Sequence, residues 1–157
     1  MKTICIVTAT RAEYGCLKNV ILQIAQDPAL DLQLIVTGTH LSPEFDYTVT
    51  EIEKDGIHIS ERIDILLSGN SNASITKSMG IASISFADSF ARKKIDMLIV
   101  LGDRYELIPI CSAAIIEHIP IAHISGGEIT EGALDDTIRH CISKMSTLHF
   151  VACEAYR

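Results

Sequence analysis

The chain has no tryptophan, and only 5% of its 157 residues are aromatic. Its core must therefore be built from Ile, Leu, Val and Ala within an apolar content of 48%. That mix suits a parallel sheet covered by helices on both faces. Positive charge is also scarce: 13 Lys and Arg stand against 20 Asp and Glu, a net charge of −7. Such a balance argues against nucleic acid or an anionic membrane as a partner. An anionic ligand would need local Arg or Lys. No apolar run is long enough to span a bilayer. Five cysteines, Cys5, Cys16, Cys111, Cys141 and Cys153, are widely spaced and form no C-x-x-C pair. They read as buried, reduced thiols of a cytoplasmic protein rather than as disulfides or a metal site. The opening residues Met1 to Val7 lack a cleavage site and read as a first strand, not a signal peptide. The loop after that strand has no G-x-G-x-x-G, so the usual dinucleotide signal is missing. Neither a nicotinamide cofactor nor a metal is expected.

What is present is a regular alternation. A chain of this length makes one domain, residues 1–157, and can bury roughly 70% of the surface its unfolded form exposes. Thr3 to Thr8, Leu32 to Thr37, Met97 to Leu101 and Ile119 to Ile124 are short apolar runs that read as buried strands. Ile57 to Ile63 alternates and reads as a less buried strand, and His149 to Ala152 as a last one. Helical spacing links them. Leu17, Val20, Ile21 and Ile24 form one helix, and Val49 to Asp55 a short one closed by Gly56. A long helix carries Ile75 to Phe90 and ends at Arg92-Lys93-Lys94, whose cations suit the negative end of its dipole. Another starts near Leu107, and the last runs from Leu134 to Met145. Thr10 to Gly15 reads as a loop, and Ser68 to Asn72 as a polar linker. The expected fold is α/β, a Rossmann-like doubly wound parallel sheet with right-handed crossovers.

Ligands in such sheets bind outside the carboxyl ends of the strands, so the strand-end loops carry the candidate chemistry. Arg11, near a helix start, with Gly15 allowing close backbone approach, makes an anion site; the plain alternative is a solvated loop arginine. His40 follows the second strand and by itself is an ordinary polar turn residue. Asp103, beside Arg104, ends the most apolar strand and suits an acid or base, or else a helix N-cap. After the fifth strand come Ser125, two glycines, Glu128 and Glu131, the last read as surface charge. On the following helix Asp135 and Arg139 are four residues apart, as are Asp136 and His140, so each pair shares a face. The aspartates also suit a first helical turn. Tight ligand spacing for a metal is lacking.

These stretches together resemble a known family. Thr10-Arg11-Ala12-Glu13-Tyr14, Thr37-Gly38-Thr39-His40, Gly102-Asp103-Arg104 and His123-Ile124-Ser125-Gly126-Gly127-Glu128, with Asp135-Asp136 before Arg139-His140, look like the hydrolysing UDP-N-acetylglucosamine 2-epimerases of sialic-acid and related nonulosonate synthesis. The resemblance runs along the whole chain. It implies one half of a glycosyltransferase-B type two-domain fold, with the UDP-holding C-terminal half not in this sequence. It further implies a cytoplasmic enzyme with a UDP-sugar substrate, no cofactor, and a homo-oligomeric state at full length. In the implied reaction UDP is eliminated across C1 and C2, water adds to the glycal at C1, and free N-acetylmannosamine results. Asp103 and Asp135 match catalytic acids; Arg11, Gly15 and Arg104 match UDP contacts, and His40 lines the cleft. Family members often carry Glu where this chain has Ser125, so either Glu128, taken here as the third acid, or a residue of the absent half compensates, or the mechanism or substrate differs; Ser125 is left as a substrate contact. Two other readings remain: a non-hydrolysing 2-epimerase, whose relatives show His-x-Glu-Ala-Gly at this point, and a nucleotide-sugar-binding module without catalysis. Because the implied cleft takes groups from both halves, the chain alone is expected not to turn over substrate.

Overall fold

A computed structural model describes residues 1–69, 71–130 and 134–156. Six strands form one sheet: β1 (Lys2–Thr8), β2 (Leu30–Thr37), β3 (Glu61–Ile63), β4 (Met97–Leu101), β5 (Ile121–Ile124) and β6 (Leu148–Phe150). Their spatial order is β3-β2-β1-β4-β5-β6, and every pairing is parallel. The helices are α1 (Arg11–Gln26), α2 (Val49–Lys54), α3 (Asn72–Ala91), α4 (Leu107–Ile116) and α5 (Leu134–Met145). This is the doubly wound Rossmann-like order, and it reverses between β1 and β4.

Alternation along the strands divides the core. Cys5 and Val7 of β1 join Phe86, Phe90, Leu98, Val100, Ile110 and Ile142 on the face covered by α3, α4 and α5. Ile6, between them in sequence, joins Tyr14, Leu17, Ile21, Leu34, Val36 and Ile52 on the face covered by α1 and α2. Successive side chains point to opposite faces of a strand, so both layers are needed to keep β1 dry.

Several sequence expectations are corrected. Residues 11–15 are the first turns of α1, not a loop. Thr10 is its N-cap: its hydroxyl accepts from the Glu13 amide at 3.3 Å, while the Glu13 carboxylate accepts from the amides of Ala9 (2.8 Å) and Thr10 (3.0 Å). Such a reciprocal capping box starts a helix as soon as the strand ends. The third strand keeps only Glu61 to Ile63 of the expected Ile57 to Ile63. The last strand, expected over His149 to Ala152, starts one residue earlier, ends two residues earlier, and is exposed along its length, as an edge strand with one neighbour. The polar linker is cut short because Ser71 caps α3, accepting from Ser74 at 3.1 Å; Asn70 lies outside the described residues. Arg92 and Lys93 form ion pairs with Glu61 of β3, tying the end of α3 to the sheet edge. Cys5 and Cys111 are buried, but Cys16, Cys141 and Cys153 are exposed. Cys16 and Cys141 fall on the outward sides of α1 and α5, next in sequence to the buried Leu17 and Ile142. Among the described residues no helix is long and apolar enough to cross a membrane.

Candidate active site

Because all six strands are parallel, their carboxyl ends share one edge of the sheet. At the reversal between β1 and β4 that edge opens into a crevice of about 400 Å³ lined by Thr10, Ala12, Glu13, Cys16, Gly102, Asp103 and Arg104. A second cleft of about 460 Å³ adjoins it, sharing Thr10 and Arg104 and adding Thr39, Phe45, Leu67, Ile75 and Tyr105. Arg104 is thus the ridge between the two.

The guanidinium of Arg104 is already engaged. It donates to both carboxylate oxygens of Glu106, from Nε at 3.2 Å and Nη2 at 2.8 Å, and lies 5.3 Å from the centre of the Tyr105 ring. Glu106 is wholly buried. Such a two-pronged, partly desolvated pair is rigid, so Arg104 presents its charge without freedom to travel. Arg11 differs. Its side chain is 72% exposed and pairs with Glu51 of α2 at 2.9 Å. An exposed pair contributes only about 0–1 kcal/mol, so Arg11 can leave Glu51 for another anion at little cost. Gly15 lies one turn along α1, exposed, with open space where a Cβ would stand.

Asp103 sits just beyond β4, following Gly102 in a left-handed conformation (φ 80°). Its carboxylate is ion-paired with Arg139 of α5. Arg139 is only 7% exposed and also donates from Nη1 to the Glu128 carbonyl (2.9 Å) and the Thr130 hydroxyl (3.2 Å). Asp135 lies four residues earlier on α5, but the Arg139 guanidinium turns inward to the loop after β4. Asp135 lies exposed in the first turn of α5. The second pair does lie together, with His140 Nε2 3.6 Å from Asp136, whose Oδ1 also accepts from the Thr130 amide at 3.0 Å. Glu128 is half-buried. Ser125 has φ 59°, a left-handed conformation uncommon for a residue with a side chain, and is held by its amide on the Phe150 carbonyl at 2.9 Å. Glu131 lies outside the described residues.

His40 does not line an open surface. It is fully buried, hydrogen-bonded through Nδ1 to Thr48 (2.7 Å) and through Nε2 to Thr8 (3.1 Å), beneath the loop rather than on it. Burial pushes its pKa from 6.5 down to about 4. The folded protein therefore holds His40 neutral, whereas the unfolded chain protonates it below 6.5. The stability this contributes is complete above pH 6.5 and is lost as pH falls towards 4, a change on the order of 3 kcal/mol. Glu13 works in the opposite sense. Burial raises it from 4.5 to about 7, against the pull of the Ala9 amide, so its contribution falls as pH rises from 4.5 to 7. Replacing His40 with Asn is therefore expected to make the unfolding midpoint less acid-sensitive between pH 6.5 and 4. An unchanged slope in denaturant titrations across that window would refute the assignment.

Four residues that sequence reasoning left without a site role complete the geometry: Glu13, Glu106, His123 and Arg139. The Thr10-x-x-Glu13 spacing could have revealed the first. His123, wholly buried on β5, donates from Nε2 to the Gly102 carbonyl at 2.7 Å, so its Nδ1 accepts from Ser143, 3.1 Å away. Burial lowers its pKa as well, favouring this neutral form. It braces the backbone one residue before Asp103. Among the described residues there is no cluster of three or more His, Cys, Asp or Glu able to hold a metal.

The profile of the UDP-N-acetylglucosamine 2-epimerase family matches residues 22–157. The chain belongs to the UDP-N-acetylglucosamine 2-epimerase family. Its match to the family takes in Asp103, Ser125, Glu128, Asp135 and Arg139, while Arg11 and Gly15 precede it. Over 156 residues, 99% of its length, this epimerase-family chain is 51% identical to a "GDP/UDP-N,N'-diacetylbacillosamine 2-epimerase (hydrolyzing)" of Campylobacter jejuni. Over 155 residues, again 99% of the chain, it is 38% identical to a "UDP-N,N'-diacetylbacillosamine 2-epimerase (hydrolyzing)" of Legionella pneumophila. The chain spans 40% and 41% of those two proteins. In fold it is similar to the UDP-GlcNAc 2-epimerase of Neisseria meningitidis, solved bound to UDP-GlcNAc, with a TM-score of 0.83 at 22% identity over 99% of this chain and 41% of that one.

Proposed function

We propose that the full-length protein is a hydrolysing UDP-sugar 2-epimerase, and that this chain supplies the half carrying the acid–base groups. The observation that carries the reading is the place of Asp103: on the crevice at the sheet's reversal point, between the ridge of Arg104 and the loop that bears Glu128. One carboxyl removes the C2 proton of the sugar, the electron pair forms the C1–C2 double bond, and the C1–O bond to UDP breaks onto the phosphate oxygen. Water then adds at C1 and a proton returns to C2 on the other face. Asp103, Glu128 and Asp135 are the groups assigned to these proton transfers. Arg11 and Arg104 offset charge growing on the departing diphosphate, and Ser125 and Gly15 border the substrate. His40, buried, sets the loop from below. Proton transfer and elimination of this kind involve no net oxidation. A second domain from the remainder of the full-length protein would hold the UDP.

The names of the Campylobacter and Legionella relatives favour a UDP-sugar with two acetamido groups. UDP-N-acetylglucosamine, giving N-acetylmannosamine for sialic-acid synthesis, is the second reading; it is favoured by the family and by a 40% identical polysialic acid biosynthesis protein of Escherichia coli. Offering both sugars to the full-length protein and identifying the products tests this. Free 2-epimerised sugar with UDP is the expected outcome. A product still joined to UDP would indicate the non-hydrolysing reaction, and binding without turnover a non-catalytic module.

A further inference from the structure

We infer that Arg139 is a positioning residue of this site, a single buried cation that fixes the Asp103 carboxylate and the 128–130 loop relative to one another; the inference rests on the proposed epimerase reading. Asp103 follows β4, Glu128 and Thr130 follow β5, and Arg139 comes from α5. One guanidinium reaches all three places, with Nη2 on Asp103 and Nη1 on the Glu128 carbonyl and the Thr130 hydroxyl. Its backbone is anchored by neighbours on the same helix: Ile138 and Ile142 are buried in the core. From that helix Asp136 also takes the Thr130 amide, so α5 grips the loop twice.

The arrangement is costly for a purely structural contact. Arg139 is 7% exposed, and among the described residues its Nε–H is buried without a partner. An apolar side chain of similar size would satisfy the core without burying a charge. What an apolar residue could not do is hold a carboxylate and a neighbouring loop at set positions. Arg139 does not line either crevice, so it acts through Asp103 and the loop rather than on the sugar.

The test uses the full-length protein. Arg139→Ala should lower kcat on the order of 100-fold, the scale of misplacing a reacting group by about 1 Å, while KM changes little. Added guanidinium ion should restore part of kcat to this variant, which a merely structural defect would not show. Hydrogen exchange at 126–130 should quicken in the variant. Arg139→Lys keeps the charge but not the fork, and should fall between wild type and Ala in both readouts; it replaces Ala should the latter fail to fold. A kcat within about two-fold of wild type, or unaltered exchange at 126–130, would overturn the inference. If the wild-type protein released no UDP from either sugar, the epimerase reading would fail, and the exchange comparison alone would decide whether Arg139 fixes the loop.

Discussion

In the full-length protein, Asp103→Asn is expected to lower kcat on the order of 100-fold or more. The amide keeps the size of the carboxylate and can still accept from Arg139, so the fold should be spared. What it loses is the ability to take or give a proton at the reversal-point crevice, where Asp103 is the acidic group directly beyond the sheet's most apolar strand. Steady-state kinetics with the preferred UDP-sugar measure the effect. A loss confined to KM, with kcat retained, would mean that Asp103 binds the sugar but does no proton transfer.

Phe86→Ala should cost about 3–5 kcal/mol of folding stability. Phe86 is fully buried on α3, packed edge-on against Phe90 with ring centres 5.5 Å apart, and belongs to the cluster holding Leu98 and Val100 of β4. In a chain so poor in aromatics, few side chains fill comparable volume. Removing this ring opens a cavity beneath the strand that leads into Asp103, so part of the effect should appear as lower activity near the unfolding midpoint. Chemical denaturation checks the value. A cost below about 1 kcal/mol would show that the site collapses to fill the gap.

The architecture was legible because its main signals are local. Apolar runs at β1, β2, β4 and β5 mark strands buried on both faces, and five helical stretches between strands leave little choice but a parallel sheet. Boundaries were harder where two local signals overlap. The strand-end residues Thr10 and Glu13 read as loop chemistry, yet they close a capping box that carries α1 directly off β1. At β3, alternation continues for several residues, but only three gain a ladder partner on β2. The residues of the candidate site were visible one loop at a time; their connections were not. Asp135 and Arg139 have ideal helical spacing for a pair, and the actual partner of Arg139 lies 36 residues away because α5 turns that face towards the β4 loop. Likewise His40 looked like a turn residue, whereas packing between Thr8 and Thr48 made it a buried support.

The most direct test of the account follows the hydrogen at C2. With the full-length protein turning over its UDP-sugar in deuterium oxide, elimination and return of a proton from solvent should leave one deuteron at C2 of the free sugar. Release of UDP without deuterium at C2 would mean that no solvent-derived proton is delivered to C2, and would contradict elimination and reprotonation through the carboxyls of this crevice.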